Sequence, residues 1–165
     1  MTIAARIPQQ RTVHFHDPEA PKASVIVPSV FVAVQGRGGR LLLVRRCDSG
    51  SWELPGGRVD IGETAAGAAV RETAEESGVQ VLVTGLVGVF TDPNLVVRAL
   101  DGEVRQQFVV IFRARVLSGT PHGDLHETSD AAWVAFPDLR ELAIEPHMRV
   151  WMEHALAVED PPHFD

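Results

Sequence analysis

From Ser24 onward the chain alternates dense apolar runs with short polar breaks. SVIVPSVFVAVQ, the GRGG at 36–39 and RLLLVRR predict two strands joined by a tight hairpin turn, because β-branched residues fill the runs and glycines separate them. Pro28 marks a strand start or a bulge, since proline cannot donate to a sheet ladder. VQVLVTGLVGVF (79–90) predicts a strand interrupted by glycines, and RQQFVVIFRARV (105–116) is the clearest strand of the chain. Between them TDPNLVVRALDGEV (91–104) reads as an irregular connector in which Asn94 and Arg98 are placed to reach a ligand. Pro137 to Leu142 predicts a short helix. Pro146 opens a second, where Met148, Trp151, Met152 and Ala155 recur at helical spacing as a core-facing stripe. Residues 1–23, with three prolines, read as an arm or edge strand, 24–158 as one domain and 159–165 as a disordered tail. Periodicity alone leaves α/β and α+β both open.

One segment carries a different pattern. GGRVDIGETAAGAAVRETAEESGV (56–79) leads from a Gly-Gly loop into a helix for which Thr64 suits the N-cap and Gly78 the C-cap. At about 100° per residue, with Glu72 at zero, Glu76 falls near +40° and Glu75 near −60°, so the three share one face. Ala65 and Ala68 lie beneath them, while Ala66, Val70 and Ala74 lie opposite. This wheel predicts a far face packed into the core and an acidic face left open. Like charges three and four apart repel, and the chain already carries net −7, so a divalent cation is the economical way to offset the cluster. Arg71, four residues before Glu75, can orient a carboxylate through a fork of hydrogen bonds. Gly56 and Gly57 are expected to use backbone conformations closed to other residues, letting a carbonyl point at an ion.

Composition narrows the classes. At 165 residues and 45% hydrophobic the chain suits one compact domain. The balance of 15 basic to 22 acidic residues, with no basic stripe, argues against gripping a nucleic-acid backbone. The single Cys47 excludes an intrachain disulfide and a Cys-only zinc site, and no apolar run reaches membrane-span length, so the cytoplasm is the expected location. Trp52 can stack on a base or support the Gly loop from the interior. His14 with His16, and His122 with His126, are further metal candidates, although a hard cation bound to phosphate prefers oxygen.

The spacing through the acidic segment is Gly57, five residues, Glu63, seven residues, Arg71-Glu72, two residues, Glu75-Glu76, one residue, Gly78. With each type near 7% abundance, seven such positions arise by chance in a chain this long with probability on the order of 10⁻⁶. Together with the lead-in Leu54-Pro55-Gly56-Gly57, the segment resembles the Nudix box of hydrolases that cleave nucleoside diphosphates linked to another moiety. Thr73 departs from the pattern, standing where the family generally has a bulky aliphatic.

The resemblance implies an α/β fold, a Nudix-type α/β/α sandwich with a mixed β-sheet. It implies Mg²⁺ or Mn²⁺ as cofactor, with Glu75, Glu76 and the Gly57 carbonyl as ligands and Glu63 supporting the site from behind. Glu72 is then a ligand or the base that takes a proton from water, with Arg71 holding it. In other members the base lies on a later loop ahead of a Trp-bearing strand, which here favours Glu127, six residues before Trp133, over Asp124 or Asp130, as base and further metal ligand. The expected partner is a small nucleotide-derived substrate such as ADP-ribose or an (oxidised) nucleoside triphosphate, with no membrane and no nucleic acid. Arms like residues 1–23 often pack on a second subunit in related folds, which suggests a homodimer. The alternatives are a noncatalytic nucleotide-binding module and a pyrophosphohydrolase of RNA 5′ ends.

Overall fold

The computed structural model describes residues 11–157 and 161–165. In chain order these residues form β1 (Thr12–Phe15), β2 (Val25–Gln35), β3 (Leu41–Arg46), β4 (Trp52–Glu53), β5 (Gly56–Arg58), α1 (Ala65–Ser77), β6 (Gln80–Phe90), β7 (Leu95–Arg98), β8 (Val104–Ser118), β9 (Thr128–Val134), α2 (Pro146–Leu156) and β10 (His163–Phe164), with short 3-10 turns at Arg37–Gly39 and Phe136–Glu141.

The continuous apolar run of β2 makes it the central strand. It lies parallel to β8 from Val25 opposite Arg105 to Gln35 opposite Arg115, with no shift of register at Pro28, which therefore sits inside the strand and is neither start nor bulge. On one face of the sheet Val30, Val32 and Val34 pack with Leu42, Ala68, Ala69 and Val79 under α1. On the other, Phe31 and Ala33 pack with Leu41, Leu43, Met148, Trp151 and Met152 under α2. Burial on both faces is why the run does not alternate. The main path of the sheet is β1-β7-β8-β2-β3-β4, and β6, β5, β9 and β10 branch from it. β2 with β8 and β6 with β10 are parallel, and the remaining pairs are antiparallel. A mixed sheet covered by a helix on each face is the α/β/α sandwich.

Three expectations change. The stretch read as an irregular connector contains β7, which pairs β1 on one side and β8 on the other. Residues 159–165 were expected to be a disordered tail, yet β10 joins β6 and the His163 ring stacks on Phe90 with centroids 4.8 Å apart. Both pairings depend on partners remote in sequence, which local pattern does not reveal. Residues 1–10 and 158–160 lie outside the described residues; in the described part of the segment read as an arm, β1 pairs with β7 as a short strand. His14 and His16 do not share a ligand: His14 pairs with Asp17 at 2.7 Å and His16 with Asp92 at 2.6 Å. Among the described residues no helix is long and apolar enough to cross a membrane.

The α2 layer carries a buried base. His147, 4% exposed, sets its ring edge-on to Trp151 at 4.9 Å, and its Nδ1 has no hydrogen-bond partner. Burial, aided by the Arg11 charge, lowers its pKa to about 4. An unfolded histidine titrates near 6.5, so the unfolded chain takes up a proton first as pH falls. The stability attached to the neutral ring is complete above about pH 6.5 and is lost as pH drops toward 4, by about 3 kcal/mol. His147→Phe should therefore retain more of its stability on going from pH 7 to pH 4.5 than the wild type in urea denaturation. Parallel loss in both proteins would show that other groups set the acid limb.

Candidate active site

α1 begins where expected. The Thr64 hydroxyl accepts from the Gly67 N–H at 3.0 Å, and Gly78, at φ 70°, closes the helix with its N–H on the Ala74 carbonyl. Its rotation differs from the wheel reading. The buried residues are Ala68, Ala69, Thr73, Glu76 and Ser77, while Ala66 is exposed and Val70 and Ala74 are only partly covered. The acidic side is thus the docked side. Thr73 donates to the Ala69 carbonyl and Ser77 to the Thr73 carbonyl, so these hydroxyls enter the interior with their hydrogen bonds made.

This rotation spreads the glutamates across a gradient of burial. Glu76 is 2% exposed, Glu72 is largely covered, and the Glu75 side chain is 57% exposed. Glu76 Oε2 accepts from the Gly56 N–H at 2.9 Å, but its Oε1 is buried with no partner. Burial, and then the nearby Glu53 carboxylate, push the Glu76 carboxyl well above the usual range. Burial also raises Glu72, opposed by Arg71 and reinforced by Glu127 and Glu75.

Arg71 neutralises the outer part of the wall. Its Nε donates to Glu63 Oε1 at 2.6 Å and its Nη2 to Glu63 Oε2 at 2.9 Å, while Nη1 reaches Glu72 at 3.0 Å and Glu75 at 3.1 Å. Glu63 also receives the Asp60 N–H. The Arg71 guanidinium, seconded by that N–H, holds the Glu63 carboxyl at about 2.

The two glycines before the helix are needed for a reason other than the one expected. Neither has positive φ; both lie in β5, extended against β2. A side chain at Gly56 would overlap the Val30 carbonyl oxygen and lie 2.8 Å from the Phe31 Cα, and one at Gly57 would overlap the Glu72 carboxylate. Close approach, not backbone freedom, excludes larger residues.

A loop completes the cleft. Asp124 accepts N–H groups from His126, Glu127 and Thr128, and the Thr128 hydroxyl donates to the Glu76 carbonyl at 2.7 Å. Asp130 bonds the Ala131 N–H. Asp124 is therefore spent on the loop and Asp130 lies in β9 outside the lining, while Glu127 joins Gly57, Arg71, Glu72 and Glu75 around a cleft of about 500 Å³. Trp52, Asn94 and Arg98 are not among the residues that line it. Trp52 packs against the core beside α2, Asn94 turns back to Asp92, and Arg98 lies on β7 opposite Thr12. His122, at the C-terminal end of α1, and His126 are likewise outside the lining. Sequence reasoning missed Arg46, Glu53, Arg58, Arg105 and Gln107, which do line it. Glu53 is buried, and Arg46 donates to it at 3.0 Å and also holds Asp48. The charge of WE before the Gly loop was the available signal for Glu53.

The donors present suit a hard divalent cation. They are carboxylate oxygens, one of them buried without a partner, beside a glycine strand that excludes side chains. Among the described residues no three acidic, histidine or cysteine side chains already converge on one point, because Arg71 occupies the ground between Glu63, Glu72 and Glu75.

Comparison with known proteins agrees with this architecture. The model of the NUDIX domain matches residues 25–155. A putative 8-oxo-dGTP diphosphatase of Bacillus subtilis is 36% identical over 105 residues, 64% of this chain and 64% of that protein. An ADP-ribose pyrophosphatase of Methanocaldococcus jannaschii is 35% identical over 117 residues, 67% of this chain and 63% of that protein. The match thus spans less than two thirds of either relative's length. A MutT NUDIX hydrolase from Burkholderia pseudomallei superposes with a TM-score of 0.64 at 28% identity, covering 78% of this chain and 97% of that one. With the matched region running from the first residue of β2 to the penultimate residue of α2 and taking in the whole acidic helix, the chain belongs to the NUDIX domain family.

Proposed function

We propose that this chain is a divalent-metal-dependent hydrolase, using Mg²⁺ or Mn²⁺, that cleaves the diphosphate linkage of a nucleoside diphosphate derivative such as ADP-ribose or an (oxidised) nucleoside triphosphate. The observation that carries the reading is Glu76: a carboxylate driven into the interior beside Glu53 and Glu72, with one oxygen left without a hydrogen bond. Such a group is costly unless a cation completes it.

Glu76, Glu75, Glu72 and the Gly57 carbonyl would hold the ion. When bound, a divalent cation supplies charge neutralisation at the phosphate oxygens and a lowered pKa for water. Arg71 orients Glu72 and Glu75, and Glu63 fixes Arg71 in turn. Glu127 faces Glu72 across the cleft and makes no side-chain hydrogen bond to any described residue, so it is the carboxylate best free to accept a proton from the attacking water. Positioning and charge stabilisation account for most of the catalysis, as in phosphoryl transfer generally. A small nucleotide in the cytoplasm fits a net charge of −7 better than a nucleic-acid backbone does.

The test is product analysis on the purified chain with ADP-ribose, nucleoside triphosphates and 8-oxo-dGTP, in Mg²⁺, Mn²⁺ or excess chelator. We expect release of a nucleoside monophosphate that falls at least about a hundredfold in chelator. Saturable binding with no turnover would favour a noncatalytic module, and turnover confined to triphosphorylated short RNA the 5′-end reading.

A further inference from the structure

Besides the acidic residues, Arg46 and Arg71, the cleft is lined by three arginines from other elements. Arg58 follows Gly57 directly in β5, Arg105 enters from β8, and Arg11 precedes β1; all three line the same cleft as Glu72. They are under-neutralised. Glu103 accepts from Arg58 at 3.1 Å and lies 3.8 Å from Arg105, so one carboxylate serves two guanidiniums, and Arg11 forms no ion pair with a described residue. Asp101 lies near Arg105 and Asp48 near Arg11, but Asp48 also answers Arg46 at 2.8 Å. The Arg105 side chain is only 12% exposed, yet its Nε is buried with no acceptor. Burial lowers its pKa first, and the charges of Arg58 and Arg11 lower it further against Glu103 and Asp101. Ser29 donates to Gln107 Oε1 on the same floor, so the amide's N–H donors are not spent on that contact.

We propose that Arg11, Arg58 and Arg105 form an anion subsite for a phosphate beyond the diphosphate bound at the acidic wall. Guanidiniums suit this because their planar forks match phosphate oxygens. The strand that ends the acidic wall at Gly57 continues directly into Arg58, so one phosphate chain can span both. Resting on the hydrolase reading, the subsite sets a preference: substrates with three or more consecutive phosphates over those, such as ADP-ribose, whose diphosphate ends on uncharged sugars. The anion binding itself does not rest on that reading.

The test separates the two. Calorimetric titration in excess chelator, where the acidic wall repels polyphosphate, measures binding of inorganic tripolyphosphate and of pyrophosphate to the wild type, Arg58→Gln and Arg11→Gln. Arg58 is half exposed, so its replacement does not endanger the fold; Arg105→Gln is added where its melting temperature matches the wild type. We expect tripolyphosphate to bind more tightly than pyrophosphate, and each substitution to weaken it about tenfold. With Mg²⁺ present, the KM for a nucleoside triphosphate should rise several-fold more than the KM for ADP-ribose. Tripolyphosphate binding indifferent to both substitutions, or equal losses on the two substrate types, overturns the subsite. Arginine-dependent binding with no hydrolysis of any substrate would sink the hydrolase reading alone and leave the subsite standing.

Discussion

Replacing Glu76 by Gln lowers kcat/KM by on the order of a thousandfold, about 4 kcal/mol of transition-state stabilisation, while leaving the fold as stable as before or more so. The two halves of this expectation come from the same geometry. The amide oxygen of Gln can still accept the Gly56 N–H that Glu76 Oε2 accepts at 2.9 Å, so the tie between α1 and β5 survives. What disappears is the ionisable carboxyl, and with it the burial cost, and then the repulsion from Glu53 and Glu72, that raise the native group's pKa. A residue retained against the interest of stability is expected where chemistry needs it. Thermal melting in chelator, alongside initial rates in Mg²⁺, reads both. A melting temperature that drops together with the rate would make Glu76 a structural residue, and a rate within tenfold of wild type would remove it from the metal site.

Gly56→Ala should destabilise the chain by about 3 kcal/mol, at the upper end of what overpacking usually costs. The added methyl meets the Val30 carbonyl oxygen and the Phe31 Cα on the backbone, and the Phe31 ring, itself buried in the core. β5 must therefore separate from β2 at Phe31, where the pair is in register, and the Gly56 N–H leaves Glu76 as it does so. Gly85→Ala is the control: nothing lies within 4 Å of its added carbon, and its stability should change by less than about 1 kcal/mol. Chemical denaturation of the two variants side by side is the measurement. Equal, small effects would mean that β5 has room to shift that the packing does not show.

The sequence made β2, β8, α2 and both caps of α1 legible, because each is announced by residues close to one another: a β-branched run, an apolar stripe, Thr64 and Gly78. It also placed Arg71 correctly beside Glu75, a contact within one helix. The rotation of α1 was not legible. Counting apolar residues sends Val70 and Ala74 inward, whereas the helix buries Thr73 and Ser77, whose hydroxyls are satisfied by its own carbonyls. Hydrophobicity scales do not register that internal satisfaction. The arginine lining of the cleft was equally hidden, since Arg11, Arg58 and Arg105 belong to separate segments and meet only when β1, β7, β8, β2 and β5 pair. Trp52 shows the converse: an aromatic beside the box is drawn to the α2 core, away from the cleft.

The four-way grip of Arg71 on Asp60, Glu63, Glu72 and Glu75 makes the guanidinium a captive counterion. These four acids therefore have a countercharge built into the chain, whereas Glu76 lies outside the grip. On the proposed reading, the outer carboxylates are balanced before any ion arrives, and only the buried Glu76 oxygen is left for a cation to complete.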